Sequence, residues 1–154
     1  MEMLFLFCFS LHNLEEALWL PGWSKYAGKY HKEVTENEFR FAVVVITALG
    51  YLITFQYLLF PTIALSRFIY SGFILMMVVN AVFPHLAATV VLRRYAPGTI
   101  TGIFLNAPVG IYILAEKTNS FDDLKGVIIA GAIISVLVLV SLKYLFIAGE
   151  KLTR

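Results

Sequence analysis

Two short stretches of this sequence contain the residue types that could do chemistry. HNLEE supplies His12, Glu15 and Glu16, and NAVFPH supplies Asn80 and His85. Two imidazoles and one carboxylate form a ligand set for Zn²⁺ or a non-haem metal, and such a set leaves coordination positions open. A second carboxylate beside the metal can act as a general base toward water. The residue types therefore indicate a metal-dependent site for which hydrolysis is the expected chemistry.

The HNLEE stretch places its polar side chains on one face of a helix. At about 100° per residue, Glu15 and Glu16 lie about 300° and about 40° from His12, so the three share an arc of about 100°. A carboxylate at mid-membrane costs about 2.5–3.5 kcal/mol, so this face is expected to turn toward a partner helix, a metal or water. Alternatively, Glu15 and Glu16, close to Pro21, lie at headgroup depth and are simply solvated. The spacing does not decide which of the two glutamates faces inward.

Pro84 lies between Asn80 and His85 and predicts a kink in the helix that contains them. Proline lacks an N–H, and its ring clashes with the carbonyl four residues back, which belongs to Asn80. In an ideal helix Asn80 and His85 are about 140° apart, and the distortion can bring them nearer to one face. The alternative for His85 is a packing hydrogen bond, and for Asn106, farther along the chain, a helix–helix hydrogen bond.

The elements that must position these residues belong to a very apolar chain. Of its 154 residues, 60% are hydrophobic and 14% are charged, and the mean hydropathy is +0.82. A soluble domain contains about 25% charged residues, so a single integral membrane domain over residues 1–154 is expected. The one cysteine, Cys8, excludes an intrachain disulfide, and a net charge of +2 without a basic stripe gives no indication of nucleic-acid binding.

Five segments are apolar and long enough to cross a bilayer, which takes about 20 helical residues. The expected fold class is therefore an all-α, polytopic membrane helix bundle of about five transmembrane helices. The TENE stretch at 35–38 resembles a capping box that starts the second helix. The expected spans are 3–20, 40–60, 68–92, 97–115 and 125–147.

The basic residues predict the orientation of this bundle. With five spans, nine of the twelve Lys and Arg residues lie on the side of the first and third connections and the C-terminus, and three lie on the other side. Because basic residues concentrate on the cytoplasmic side, the N-terminus is expected outside and the C-terminus in the cytoplasm. In this arrangement His12, Glu16, His85 and Asn106 can share one level in the cytoplasmic half of the bundle.

Three motifs taken together resemble those of the HXXEE-domain family of small bacterial integral membrane proteins. The resemblance implies a bacterial inner (plasma) membrane protein in which the polar residues of the first two motifs act together in a membrane-embedded enzyme. It names no substrate. It covers about residues 10–110, and the matching residues are HNLEE (His12, Glu15, Glu16), NAVFPH (Asn80, His85) and RRYAPGTITG (Arg94, Pro97, Gly98).

The leading hypothesis is an intramembrane metal-dependent enzyme that acts, by hydrolysis, on a lipid or another apolar substrate. His12, Glu16 and His85 would bind a divalent metal, either Zn or Fe/Mn. Glu15 would be the base or a fourth ligand, and Asn80 would orient the substrate or stabilise an oxyanion.

Three other functions use the same residues. A small proton- or metal-ion-linked transporter would use the carboxylates as a relay. His12 and His85 could ligate a haem, and a structural membrane protein would use its polar side chains only to hold helices together. Arg93 and Arg94 either hold an anionic headgroup or, as the positive-inside rule favours, anchor the chain. The expected partners are the lipid bilayer and a lipid substrate, and the oligomeric state, a homo-oligomer included, stays open.

Overall fold

The structure, a computed structural model, describes residues 1–28 and 34–152, which form a bundle of helices joined by short connections. Five helices are long and apolar enough to cross a membrane, and the described ranges contain no strand. The predicted all-α membrane bundle with five spans is therefore confirmed. The helices are α1 (Glu2–Ser24), α2 (Glu36–Leu59), α3 (Ala64–Val91), α4 (Thr99–Lys117) and α5 (Phe121–Leu152).

The start of α2 follows from its first residues. Thr35 accepts a hydrogen bond from the backbone N–H of Glu38 at 3.3 Å, and the Glu38 carboxylate accepts one from the backbone N–H of Thr35 at 2.8 Å. This reciprocal pair satisfies two backbone donors that the first helical turn leaves without partners. The predicted capping box is confirmed, and it starts the helix at Glu36, before the predicted span that begins at residue 40.

The other helix ends also differ from the predicted spans for local reasons. α1 continues through Pro21 to Ser24, where the Ser24 hydroxyl donates to the Pro21 carbonyl at 2.8 Å. α4 begins at Thr99 rather than at residue 97, because Gly98 has a φ of +91°. That left-handed conformation lies outside a right-handed helix, and glycine adopts it without steric cost.

An aromatic layer fills the bundle toward the N-terminal end of α1. It consists of Phe5 and Phe9 from α1 and Tyr70 and Phe73 from α3, all fully buried. Phe5 packs edge-to-face against Tyr70 and Phe73, and Phe9 packs edge-to-face against Phe73 with ring centroids 5.3 Å apart. These contacts hold α1 and α3 side by side and parallel, so later residues of the two helices also meet.

The outer helix α5 packs against α3 through small residues and faces outward with large apolar ones. A Cβ atom at Gly72 of α3 would lie 2.7 Å from the Cβ of Ala130, so the two backbones approach closely there. Such close packing of small residues is typical of helices in a membrane, where lipid is as apolar as leucine. Exposed side chains such as Val136 and Leu139 on α5 are suited to contact with lipid chains.

Both α3 and α4 contain an irregular segment at the level where they meet α1, which is a break in α3 and a π-helical turn in α4. In α3 it covers Ala81–Leu86, where Phe83 has extended φ and ψ of −130° and 116° and its peptide bond to Pro84 is cis. In α4 it covers Gly102–Asn106 and ends two residues before Pro108, which lacks a backbone donor. The predicted kink at Pro84 is thus present in α3, and π-helical turns such as the one in α4 are frequent at functional sites.

Candidate metal centre

The structure brings together the three residues expected to bind metal. One ligand atom from each of His12, Glu16 and His85 lies within 4.8 Å of the other two. Glu16 Oε1 is 2.9 Å from His85 Nε2 and 3.8 Å from His12 Nε2. Tetrahedral coordination at about 2.0–2.1 Å places ligand atoms about 3.3 Å apart. Even a pair of ligand atoms 4.8 Å apart would need to approach by only about 1.5 Å, which is less than about 1 Å of movement for each atom. The donor set therefore fits a divalent metal.

Two helices supply the ligands, and their local structure explains how the ligands meet. His12 and Glu16 are one turn apart on α1, so their side chains lie on the same face. His85 follows Pro84 within the irregular segment of α3, and the break there lets its ring point inward. His12 is fully buried and His85 is 4% exposed. The cluster is therefore largely closed off from the surroundings of the bundle.

Hydrogen bonds fix which nitrogen of His12 faces the cluster. The Thr101 hydroxyl donates to Glu15 Oε2 at 2.6 Å, because a carboxylate can only accept. That hydroxyl has no second proton, so it accepts from His12 Nδ1–H at 3.1 Å. The lone pair of His12 is then on Nε2, the atom nearest Glu16. A metal-binding histidine usually has its other nitrogen hydrogen-bonded in this way, which fixes the tautomer and the ring orientation.

The turn before α4 packs directly onto both imidazoles. The His85 ring interacts with the backbone carbonyl of Pro97 on one side and with Glu16 on the other. A Cβ atom at Gly98 would lie 2.7 Å from His85 Nδ1 and 3.0 Å from His12 Cε1. Position 98 thus requires glycine for two reasons, the left-handed backbone and the close approach of the two rings.

The structure places Glu15 beside the cluster rather than in it. Its carboxylate accepts hydrogen bonds from the backbone N–H groups of Gly98 at 2.8 Å and Thr101 at 3.3 Å, from the Thr101 hydroxyl, and from the Tyr95 hydroxyl. Burial, and then the hydrogen bond to Glu15, raises the pKa of Tyr95 to about 12. Glu15 is 7% exposed, so it is not simply solvated at headgroup depth. Through Thr101 it orients His12.

Asn80 also contacts the cluster, whereas Asn106 forms no bond to it. Asn80 Nδ2 is 3.3 Å from His12 Nε2, and with the His12 proton on Nδ1 the Asn80 amide donates a hydrogen bond to Nε2. A metal ion on Nε2 would replace this hydrogen bond. Asn106 is fully buried, and both polar atoms of its amide are without a hydrogen-bond partner among residues 1–28 and 34–152. Within this part of the chain, Asn106 therefore makes neither a hydrogen bond to the cluster, whose level it was expected to share, nor the helix–helix hydrogen bond that was its alternative.

Bis-histidine haem ligation does not fit this arrangement. The His12 and His85 rings are in edge-to-face contact with centroids 5.1 Å apart, and Glu16 contacts both. A porphyrin between the two rings would have to displace that carboxylate and separate the helices.

Three residues of the site carried no functional assignment from sequence reasoning. Tyr95 and Thr101 orient Glu15 and His12, and Gly98 fixes the packing of both rings. Tyr95 and Thr101 are ordinary residues at the edge of a membrane span. The sequence signals were the RRYAPGTITG motif of the family resemblance, which contains all three residues, and its Pro97-Gly98 pair, which marks a turn but not what the turn contacts.

Comparisons with known proteins place these residues in a recognised group. The family described as "Protein of unknown function with HXXEE motif" matches residues 3–113, which include both ligand-bearing helices and the Gly98 turn. The chain is 43% identical over 150 residues to a protein of Bacillus subtilis (strain 168) with the printed name "Uncharacterized protein YrkK". The match covers 97% of this chain and 95% of that protein. No solved structure matches the chain. The expected resemblance is thus confirmed, and the chain belongs to the HXXEE family.

Proposed function

We propose that this protein is a membrane-embedded, metal-dependent enzyme that hydrolyses a lipid or another apolar substrate. The observation that supports this proposal is the cluster of His12, Glu16 and His85, whose ligand atoms all lie within 4.8 Å of one another. Ionisable side chains are costly inside a membrane even when they pair with one another, as Glu16 and His85 do at 2.9 Å, and they commonly mark functional sites there. A divalent metal, Zn or Fe/Mn, would act as a Lewis acid and promote attack by water.

The surrounding residues prepare the cluster for such chemistry. Thr101 holds the His12 ring with Nε2 toward Glu16, and the Gly98 turn holds both rings in place. Burial of the imidazoles keeps bulk water out, which strengthens every electrostatic contact inside the site. The Asn80 amide lies against the cluster and is suited to orient a carbonyl or phosphoryl oxygen.

The role of Glu15 needs a separate test. Four hydrogen bonds to its carboxylate favour a positioning role through Thr101, because its lone pairs are already engaged. The general-base role expected from the sequence stays a prediction. A Glu15→Gln enzyme with an unchanged pH–rate profile but weaker metal binding would support positioning, whereas loss of a titrating limb in that profile would support the base role.

The distribution of polar residues favours an enzyme over an ion pathway. A second polar group lies at the other end of α1, where Glu2 pairs with Lys117 at 3.0 Å and Lys117 donates to Tyr57 at 2.7 Å. The aromatic layer, with Phe5 and Phe9, lies between Glu2 and His12 along the buried face of α1. The polar groups near that level are the Tyr70 hydroxyl and the Ser10–Tyr51 hydrogen bond, and the described part of the chain places no carboxylate or imidazole there. An ion relay through the bundle would need charged or titratable groups along its path, so the cluster is better suited to chemistry at one membrane face.

The proposed setting is a bacterial inner membrane with the N-terminus outside and the C-terminus in the cytoplasm. The excess of nine Lys and Arg residues over three supports this orientation. The cluster extends from the middle of α1 at His12 to Glu16 and lies in the later half of α3 at His85, so it would be in the cytoplasmic half of the membrane. Substrate would then reach it from the cytoplasmic leaflet.

The test is metal-dependent hydrolysis in detergent or vesicles. Purified protein is stripped with a chelator and reloaded with Zn²⁺, Mn²⁺ or Fe²⁺. It is then incubated with mixed phospholipids while released fatty acids and headgroups are followed by mass spectrometry. We expect turnover only with metal, and a loss of at least about 100-fold in Glu16→Gln, since even residues that only contact metal ligands contribute about 10–100-fold.

The matched control is Glu36→Gln, which removes an exposed carboxylate paired with Arg40 at the start of α2. This variant should keep full activity. Hydrolysis that persists without metal or in Glu16→Gln would refute the proposal. Ion flux in vesicles without any product would instead support a transporter.

A further inference from the structure

A groove runs along the outer side of α1 next to the cluster. Its volume is about 790 Å³, within the range of about 300–1,000 Å³ typical of ligand sites. Leu14, Leu18 and Trp19 of α1 and Ile100 of α4 line it with exposed apolar side chains. Glu15 and Thr101 also line it, so the groove reaches the hydrogen bonds that orient His12.

The groove has the length of one leaflet. It extends along α1 from Leu11 to Trp23, and at 1.5 Å per residue these positions are about 18 Å apart. Half of a hydrocarbon core of about 30 Å is about 15 Å. An acyl chain that lies along α1 therefore fits with its free end near Leu11 and its headgroup near Trp23.

The interfacial end of the groove contains a cation that forms no ion pair with the residues that the structure describes. The Arg94 guanidinium stacks on the Tyr26 ring at 3.7 Å from the ring centroid, and both residues line the groove. Within residues 1–28 and 34–152 Arg94 forms no ion pair. The Glu15 carboxylate, at the inner wall, is engaged by its own hydrogen-bond donors toward the opposite end of the groove. Among the described lining residues Arg94 is the cation at the interfacial end, and its planar donors suit a phosphate group.

We infer that this groove binds a bilayer phospholipid with an anionic headgroup, with the acyl chain along α1 and the headgroup phosphate on Arg94. The inference that a lipid binds here depends only on the groove. The further inference that this lipid is the enzyme's substrate class rests on the proposed function. It distinguishes Arg94 from its neighbour Arg93, which does not line the groove.

The two tryptophans of the chain allow a direct test, because both Trp19 and Trp23 line the groove. Bromine atoms on lipid chains quench tryptophan fluorescence on contact. The metal-free protein is reconstituted in vesicles that mix brominated phosphatidylglycerol with unbrominated phosphatidylcholine, and in the reverse mixture. Quenching across a range of mixtures gives the relative binding constant of the anionic lipid. The matched pair of variants is Arg94→Gln and Arg93→Gln, which remove the same charge from the same connection.

We expect wild type to prefer the anionic lipid by about five-fold, since one basic residue near an anionic leaflet contributes about 1 kcal/mol. Arg94→Gln should lose this preference, while Arg93→Gln should keep it within about two-fold, because a charge outside the groove acts only through a screened field. If the wild-type protein shows no preference for the anionic lipid, that result alone overturns the inference. An equal loss in both variants would overturn it too, since the attraction would then belong to the connection as a whole. Helical circular dichroism checks that both variants are folded.

The result is independent of hydrolysis because no metal is present. A chain that prefers the anionic lipid but never binds metal would keep the lipid site and refute the proposed enzyme. A chain that binds metal and turns over lipid without this preference would support the proposed enzyme and refute the lipid site.

Discussion

Replacement of Gly98 by alanine should disturb both imidazoles of the proposed metal centre at once. The new Cβ atom would lie 2.7 Å from His85 Cε1 and Nδ1 and 3.0 Å from His12 Cε1, whereas ordinary contacts begin at 3.4 Å. The His85 ring must therefore retreat by about 0.7 Å, or the turn must move away from it. Alanine at a φ of +91° also costs about 1–2 kcal/mol of backbone strain.

The expected loss of metal affinity follows from this displacement. Changes to groups that orient metal ligands typically weaken metal binding by about 10–100-fold, and Gly98→Ala affects two ligands. We therefore expect a decrease of about 100-fold in affinity, with a decrease of about 1–2 kcal/mol in the free energy of unfolding. Competition with a chromophoric chelator in detergent measures the affinity, and denaturation followed by circular dichroism measures the stability.

Gly22→Ala is the matched control. Gly22 is in the last turns of α1, and a Cβ atom there would meet nothing within 4 Å. Its metal affinity should equal that of wild type, and its stability should rise by about 0.5–1 kcal/mol, because alanine favours the helix. If Gly98→Ala binds metal as tightly as Gly22→Ala does, His12 and His85 do not bind one ion in the observed arrangement.

Three further predictions concern single side chains. Thr101→Val should weaken metal binding by about 10-fold while Thr101→Ser keeps it, because only the serine hydroxyl can still link His12 Nδ1 to Glu15. Chelator competition measures both affinities, and an equal loss in the two variants would contradict this. Thr35→Ala should lower the free energy of unfolding by about 1 kcal/mol through loss of the cap, and an unchanged denaturation midpoint would argue against the capping box. The pKa of Tyr95, raised to about 12, means that any stabilisation from its hydrogen bond to Glu15 is present below pH of about 10 and is lost as pH rises through about 12. Ultraviolet difference titration of wild type against Tyr95→Phe should show one tyrosine that ionises near pH 12, and a difference signal near pH 10 would contradict this.

The membrane bundle and the polar face of α1 could be predicted because both depend on local sequence. A span is recognised from its length and apolar composition, and the shared arc of His12 and Glu16 follows from helix periodicity alone. The kink at Pro84 is also local, since it follows from the chemistry of proline. His85 could therefore be proposed as the counterpart of α1 before any tertiary contact was known.

The surroundings of the cluster could not be predicted, because they depend on how the connection between α3 and α4 folds back. The roles of Thr101 and Tyr95 become visible only when that turn is placed on α1. For the same reason, the sequence could not show which of the two glutamates joins the histidines. Both lie on one arc of α1, and only the packing of the Gly98 turn on Glu15 and of His85 on Glu16 gives them different partners.

Metal content of the detergent-purified protein tests the central claim most directly. Elemental mass spectrometry on wild type, His12→Ala, Glu16→Gln and the control Glu36→Gln, each shown to be folded, would measure the metal bound per chain. We predict close to one Zn, Fe or Mn per chain in wild type and Glu36→Gln, and loss of that metal in His12→Ala and Glu16→Gln. Wild-type protein without metal, even after incubation with each candidate ion, would contradict a metal centre formed by His12, Glu16 and His85.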